Sequence, residues 1–343
     1  MSIKDVAKVA NVSPSTVSRV VNGGDASAAS PETQERIWKA VREVGYVLNQ
    51  NARSLKCAER KSAPVNCDID CVFARLAGSH LDPFFTALMH EIELEAFEYG
   101  YHLRYQYSIH EVTNGTFLPR GEARAAIVLG RASEQTITRL QSLYRHLICT
   151  SLQNLNLPVD QVISSGYDAA YSCVQYLHSL GHTRICYLGE TDDEQRYEGY
   201  LAAMRQIGVE NAGELSVESA FTPTDGYEAI HKLLDLGKDF TAILCSNDML
   251  AVGALNALKK HKLRVPRDVS LVGINDMETV RYLDPMLTTV NIPVAEMGKQ
   301  TAKMLIDRIN GGHKLPVKVL IPNALVYRES CAPTAIHTIK EVI

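Results

Sequence analysis

The feature that most limits how this chain can fold is a repeated change of hydrophobic period. Beyond residue 62, short β-rich apolar runs alternate with longer stretches of helical spacing. The runs at 69–76, 102–107, 125–130, 147–151, 161–165, 184–189, 242–246, 269–274 and 317–321 read as strands. Helical patterns fill most gaps between them, at 83–99, 168–180, 196–207, 226–236, 249–260 and 294–310. Such alternation with short connections predicts an α/β body of parallel sheets covered by helices on both faces. Sheets of that kind take ligands at the carboxyl ends of their strands. So long a stretch is more than one core holds, and two lobes are expected.

Residues 1–61 have a different character. They hold ten Lys/Arg against six Asp/Glu, a net +4, so the rest of a chain whose net charge is -4 must carry -8. A basic head on an acidic body suits a module that touches phosphates while the body stays clear of them. Within the head, Ser2 and Asp5 form a capping box for a helix from Ile3 to Ala10, with Val6, Val9 and Ala10 on one face and Ala7 small. Asn11, Val12 and Ser13 make a short turn. Ser13 then caps a second helix that opens on Pro14 and buries Val17, Val20 and Val21. Its other face shows Ser15, Thr16, Ser18, Arg19 and Asn22. This is a helix-turn-helix pattern, with a polar second helix where a major groove would lie. Ser30 and Pro31 start a third helix with Ile37, Trp38, Val41 and Val44 as its stripe. The weakly helical segment at about 49–57 is too polar for a core; it could order on DNA, with Leu55 as a minor-groove wedge.

Ile3-Lys4-Asp5-Val6-Ala7, Val12-Ser13, Thr16 through Asn22, Gly45-Tyr46 and Asn49 through Leu55 together resemble the head and hinge of the lactose/galactose repressor (LacI/GalR) family. The resemblance implies base reading by Pro14, Ser15 and Arg19, and a hinge helix in which Asn49, Ala52 and Leu55 enter a central minor groove beside a dimer mate. Pro14 departs from the family in kind, since it cannot donate a hydrogen bond. The likeness continues through Asp82-Pro83-Phe84-Phe85, Arg196 with Gly199-Tyr200, Asn247-Asp248, Val272-Gly273 with Asn275-Asp276, and Leu287-Thr288-Thr289-Val290. These imply the two-lobed fold of periplasmic sugar-binding proteins with a cleft between lobes. The expected division is a DNA-binding domain at 1–57 and an effector-binding and dimerisation domain at 58–343. Lobe 1 would comprise about 62–160 and 291–320, and lobe 2 about 161–290 and 321–331.

A polyol effector needs directed donors and acceptors and a flat apolar face. Asp82, Arg196, Asn247, Asp248, Asn275 and Asp276 offer the first, all near predicted strand ends, and Phe84 the second. Asp248 could equally cap the helix that follows it. The single tryptophan, Trp38, lies in the head, so no indole is free to stack on an effector. Ser151 and Ser165 stand where relatives place Asp, which weakens the expectation of a typical free hexose and leaves modified sugars and non-sugar metabolites open.

These observations predict an operator-binding repressor of a carbohydrate-utilisation operon, released by a sugar-like effector. Its operator would be pseudo-palindromic double-stranded DNA, and a tail too short for heptads favours a homodimer. The alternatives are a corepressor-dependent regulator of a non-sugar pathway and a solute-binding protein without DNA affinity. No enzymatic activity is expected: the sequence has no Gly-rich phosphate loop, HExxH or G-x-S-x-G, and His80 and His182 lack evident partners. Neither cofactor nor metal is expected. Cys57, Cys67, Cys71, Cys149, Cys173, Cys186, Cys245 and Cys331 are scattered without a CxxC and read as reduced core thiols. With no long apolar run and no leader pattern at Met1, the expected location is the cytoplasm, on the nucleoid.

Overall fold

The structure, a computed structural model, describes residues 3–21, 29–44, 68–74, 76–77, 80–114, 124–237 and 239–334. The chain divides into two units, Met1–Pro64 and Val65–Ile343. That break falls later than the 57/58 boundary read from the sequence. The expected hinge segment, with Asn49, Ala52 and Leu55, and Asn22 at the end of the second helix all lie outside the described residues.

The described residues of the head form three helices. Helices α1 (Ile3–Ala10) and α2 (Pro14–Val21) meet through a turn in which Asn11 takes a positive φ of 53°. The Val12 N–H donates to the Ala7 carbonyl at 3.1 Å. Ser13 accepts from the Thr16 N–H at 3.1 Å, and Pro14 occupies the first helical position, where a missing N–H costs nothing. Ser30 caps α3 (Pro31–Val44) in the same way. Val6, Ala7, Ala10, Val17, Ile37 and Ala40 form the core. Two apolar residues assigned to it from spacing lie outside. Val9 is 49% exposed and Trp38 38% exposed, because the packed stripe of α3 runs through Ile37 and Ala40, one position off the tryptophan.

The body begins with β1 (Asp68–Phe73), the short pair β2 (Leu76–Ala77) and β3 (His80–Leu81), and helix α4 (Pro83–Glu98). Then come β4 (His102–Ser108), α5 (Ile109–Thr113), β5 (Ala125–Leu129), α6 (Glu134–Leu143), β6 (His146–Ser151) and β7 (Asp160–Ile163). After a crossover follow α7 (Gly166–Ser179), β8 (Ile185–Gly189), α8 (Gln195–Gln206), β9 (Ser216–Glu218), α9 (Pro223–Asp235), β10 (Ala242–Cys245), α10 (Asp248–Lys260), β11 (Ser270–Asn275) and β12 (Thr288–Asn291). The chain returns through α11 (Val294–Ile309) and β13 (Lys318–Leu320), then crosses again to β14 (Ala324–Val326).

The first sheet has the order β13-β7-β6-β5-β1-β4 and the second β14-β12-β11-β10-β8-β9. All pairings within them are parallel except β12 with β14, an antiparallel edge on an otherwise parallel sheet. Helix α11 packs against α4 over the first sheet; α7 pairs with α8, and α9 with α10, over the second. The central strands β1, β5, β8, β10 and β11 are buried on both faces because helices cover both.

Two expectations about the lobes need correction. Strand β7 belongs to the first lobe, so the crossover follows Ile163 instead of preceding Gln161. Asp160 fixes this. Its fully buried carboxylate accepts from Arg308, from the Val317 N–H at 2.8 Å and from His313 Nε2 at 2.9 Å, all in the first lobe's returning segment. Likewise Asn291 ends β12 in the second sheet, so the first lobe resumes only beyond it. Helix α6 and strands β9, β12 and β14 were not anticipated. Helix α6 buries only Thr136, Ile137 and Leu140 under a polar surface, and β12 reads as polar although Thr288 and Thr289 are fully buried.

Among the described residues no helix is long and apolar enough to cross a membrane, and no group of three or more His, Cys, Asp or Glu is placed to hold a metal ion. The described cysteines are free; Cys71, Cys149, Cys173, Cys186 and Cys245 are buried, and burial pushes the thiols of Cys71, Cys149, Cys173 and Cys245 up, away from the reactive thiolate. His182 is a satisfied core residue. Its Nδ1 lies 2.9 Å from Thr241 Oγ1 and its Nε2 3.0 Å from Ser270 Oγ, and burial lowers its pKa.

Candidate functional site

Two surfaces carry chemistry. On the head, Pro14, Ser15 and Arg19 are exposed on α2 and Thr16 is half-buried. Arg19 leans back to the Ser15 carbonyl at 3.5 Å, a weak contact that a guanine edge could replace. The helix therefore presents a hydroxyl and a guanidinium on one accessible turn.

In the body, a cleft between the lobes gathers loops from the carboxyl ends of strands in both sheets, where doubly wound sheets take ligands. It is lined by Asp82, Phe84 and Phe85 at the start of α4, by Gly130 and Arg131 after β5, and by Ser151, Leu152 and Gln153 after β6. From the second lobe come Glu194 and Arg196, Asn247 after β10, and Asn275 at the end of β11. The space they enclose is about 450 Å³, part of it open to solvent.

Arg196 is the electrostatic centre. Only 4% exposed, it donates from Nε and Nη2 to the two oxygens of Glu194 at 2.7 and 2.8 Å, and from Nη1 to the Ser246 carbonyl at 2.8 Å. Its guanidinium lies 4.7 Å from the centre of the Phe221 ring. Burial works against the charge, but the Glu194 carboxylate outweighs it and holds the fork protonated. A guanidinium has five N–H donors; these bonds use three and leave two for a guest.

The cleft also holds acceptors without partners. Asn275 Oδ1 and Gln153 Oε1 are buried and receive no hydrogen bond. Such groups are expensive to leave unmet, and a guest that donates to them removes the cost. Asn275 sits at φ 130° and Asp276 at φ 54°, so the backbone turns sharply to present the amide. The apolar wall is Phe84 packed edge-on against Phe85, with ring centres 5.3 Å apart.

Of the sequence-derived effector residues, the fold brings Asp82, Phe84, Arg196, Asn247 and Asn275 together on this wall. Asp82 and Asn247 have local duties as well: Asp82 Oδ1 accepts from the Phe84 N–H at 2.9 Å, and Asn247 Oδ1 accepts from the Leu250 N–H at 2.8 Å, capping α4 and α10. Asn247 also donates to the Phe221 carbonyl at 3.0 Å, tying the ring beneath Arg196 to the end of β10.

Asp248 and Asp276 do not line it. Asp248 is fully buried and turned away, accepting from Thr289 Oγ1 at 2.6 Å and from the Met277 N–H at 2.8 Å; the cap of α10 is Asn247 instead. Burial pushes its carboxyl up to about 6. Asp276 is committed to Arg328, Asn291 and Arg281. Both hold the turn that carries Asn275. Ser151 borders the cleft but turns onto Gln153, and Ser165 caps α7.

Sequence reading missed Phe85, Arg131, Gln153, Glu194 and Phe221. Arg131 had a usable signal, its place at the end of a predicted strand. Glu194 and Phe221 had none, because the contact that makes them important is tertiary.

Comparison with known proteins bears on both surfaces. Residues 2–49 match the family described as "Bacterial regulatory proteins, lacI family", and residues 174–331 match "Periplasmic binding protein-like domain". The HTH-type transcriptional repressor PurR of Haemophilus influenzae is 30% identical over 317 residues, covering 90% of this chain and 91% of that protein. The HTH-type transcriptional repressor MelR of Bacillus subtilis is 28% identical, covering 97% of this chain and 98% of its own. Among solved structures, the transcriptional regulator CelR–cellobiose complex aligns with a TM-score of 0.70 at 26% identity, over 96% of this chain and 99% of that one. The Lac repressor dimer bound to operator and the anti-inducer ONPF aligns with a TM-score of 0.64 at 22% identity, over 97% and 99%, a likeness of fold.

Proposed function

The chain belongs to the lacI family of bacterial regulatory proteins, and from that membership we propose how it works: a repressor whose grip on an operator is set by a neutral polyol in the body cleft. It is a DNA-binding transcriptional repressor of the HTH type. Two copies engage a pseudo-palindromic operator, each reading a half-site with Pro14, Ser15, Thr16, Ser18, Arg19 and Asn22. The segment containing Asn49, Ala52 and Leu55 would enter the minor groove between them. The effector is a sugar or sugar-like polyol, and its binding releases the operator of a carbohydrate-utilisation operon in the cytoplasm.

The observation that carries the effector reading is the pairing of spare donors with unmet acceptors across one cleft. Arg196 has two N–H groups left, while Asn275 Oδ1 and Gln153 Oε1 await donors. A hydroxyl both donates and accepts, so neighbouring hydroxyls on a ring can serve both needs. The cleft's own charges oppose one another in kind, Arg131 and Arg196 against Asp82 and Glu194, which favours an uncharged guest. Phe84 and Phe85, packed edge-on, supply an apolar wall for the carbon face of a sugar ring. The complex of a related regulator with cellobiose supports the same class.

The test is reciprocal titration. Anisotropy of a labelled operator duplex, read with and without candidate sugars, should show affinity changed by a fixed factor, and sugar affinity should change by the same factor when operator is added. Such couplings run to about 1–3 kcal/mol. Equal sugar affinity with and without operator would defeat the coupling, and indifference to every sugar would defeat the effector class.

A further inference from the structure

Glu194 places a carboxylate where an anionic guest would bind. It lines the effector cleft, and its side chain is 6% exposed. Three positive groups converge on it. The Arg196 guanidinium grips both oxygens, from Nε at 2.7 Å and from Nη2 at 2.8 Å. The Arg196 backbone N–H donates to Oε1 at 3.2 Å, at the N-terminus of α8, where the helix dipole adds to the attraction. Arg131 Nη1 lies 3.9 Å from Oε2. A guanidinium fork, a helix start and a second guanidinium around one buried point make an anion site, and Glu194 fills it from within.

Capping α8 does not call for this residue. Ser, Thr, Asp and Asn are the preferred caps, with side chains short enough to meet the first free N–H groups. The longer glutamate serves the helix with Oε1 and still spans the fork with both oxygens.

The other charges of the cleft leave an entering anion without a counter-charge. Arg131 follows Gly130, which turns the chain at φ +98°, where a Cβ would sit 2.8 Å from Phe85 Cζ. From that turn its Nη1 donates to the Asp192 and Asp193 carbonyls, both at 2.7 Å, and its Nη2 to the Glu190 carboxylate. Asp82 adds a negative charge from the first lobe. The two guanidiniums therefore meet three carboxylates, those of Glu194, Glu190 and Asp82. The N–H groups that Arg196 keeps for a guest offer hydrogen bonds with no unbalanced positive charge behind them among the described lining residues.

We propose that Glu194 sets the charge of the effector: it occupies the anion site on Arg196, so the cleft takes a neutral polyol and turns away the corresponding acid. This rests on the cleft being the effector site. A hydroxyl uses the spare N–H groups of Arg196 with Glu194 in place. A carboxylate must displace Glu194 or lie beside it, like charge against like, and that repulsion is the discriminating element.

The experiment uses the full-length protein and two variants. Glu194→Gln keeps the length and one acceptor oxygen but not the charge. Glu194→Ala removes a methylene and its carboxylate, the outline of acetate, and leaves the fork and the helix start unfilled. Urea midpoints, followed by far-UV circular dichroism, are compared in sodium acetate and in sodium chloride of equal ionic strength. Acetate should raise the midpoint of Glu194→Ala saturably and leave the wild type where chloride puts it, while uncharged acetamide should give no such rise. Equal responses of variant and wild type to acetate overturn the anion site. Calorimetric titrations with D-glucose and D-glucuronate, which differ in a hydroxymethyl group against a carboxylate, then give a ratio of Kd values for the wild type and for Glu194→Gln. The wild type should favour glucose, and the variant should shift the ratio toward glucuronate by about tenfold or more, the scale of one charged hydrogen bond. A purely structural Glu194 would weaken both sugars together, and an unmoved ratio overturns the selection. If neither protein binds either sugar, the polyol reading fails and sugar selection with it, while the acetate comparison still decides whether Glu194 fills an anion site.

Discussion

Replacing Arg196 with methionine, close to it in length but apolar and uncharged, should cost the body about 3 kcal/mol. The variant would lose two charge-assisted bonds to Glu194, the bond to the Ser246 carbonyl and the stacking over Phe221. It would leave Glu194, whose side chain is 6% exposed, as a buried carboxylate still held by the Arg196 backbone N–H at 3.2 Å and with Arg131 no nearer than 3.9 Å. Removing one partner of a buried ion pair typically costs ~3–5 kcal/mol, because the survivor stays out of water without compensation. The residual pull of Arg131 places the expectation at the low end. That is a loss of roughly a hundredfold in the folding equilibrium. Urea titration followed by far-UV circular dichroism reads the body, whereas fluorescence of Trp38, the single tryptophan, follows the head and should not move. Glu194→Gln and the double variant complete a cycle; the pair should show a coupling of at least about 1.5 kcal/mol, with the double variant hurt less than the sum of the singles. A loss below ~1 kcal/mol for Arg196→Met, the worth of an exposed pair, would refute the reasoning.

Asp248→Asn should stabilise the body at neutral pH. The native carboxyl titrates at about 6, raised by burial above the ordinary 3.8, so the folded state holds its proton more tightly and stability falls as pH rises through that window. The asparagine variant lacks the fall, and the gap of up to ~3 kcal/mol near pH 7 should close below about pH 4; urea midpoints that differ equally at both pH values would count against this. Gly130→Ala should cost roughly 2–5 kcal/mol from backbone strain and overlap with Phe85, measured as a drop in Tm, and a neutral result would contradict the described turn. Arg19→Ala should relax base choice at one position per half-site by about 1–3 kcal/mol in competition binding across a set of operator variants, whereas a uniform loss over all sequences would reassign Arg19 to phosphate contact.

Much of this architecture was readable because its signals are local. Ser13-Pro14 is a local helix-start signal, and the apolar runs at 125–129, 185–189 and 242–245 are strands because two helical layers bury both their faces. What escaped reading depends on partners distant in sequence. Thr288 and Thr289 look like a polar loop until Ser330 and Asp248 satisfy them from elsewhere in the body. The strand at 160–163 carries nothing in its own composition to say which sheet it joins; Arg308 and Val317, met at Asp160, decide that. The cleft divides the same way. Arg196 and Asn275 could be named from type and strand-end position, but Asp248 has the same credentials and faces inward. Glu194 and Phe221 are ordinary residues made important by a guanidinium that lies between them.

The placement of α11 and β13 has a consequence for synthesis. Met297, Ala302, Leu305 and Ile306 complete the first lobe's interior, yet they are made only after the second lobe's main strands. At about 5–20 residues per second, a ribosome needs on the order of ten seconds to add that intervening stretch. Throughout that interval the inner face of α4 lacks its helical mate and β7 is a bare sheet edge, the kind of surface that recruits wrong neighbours. The half that emerges first is therefore the half that matures last, and a ribosome stalled before residue 294 would release a chain whose later lobe is nearly finished and whose earlier one is open.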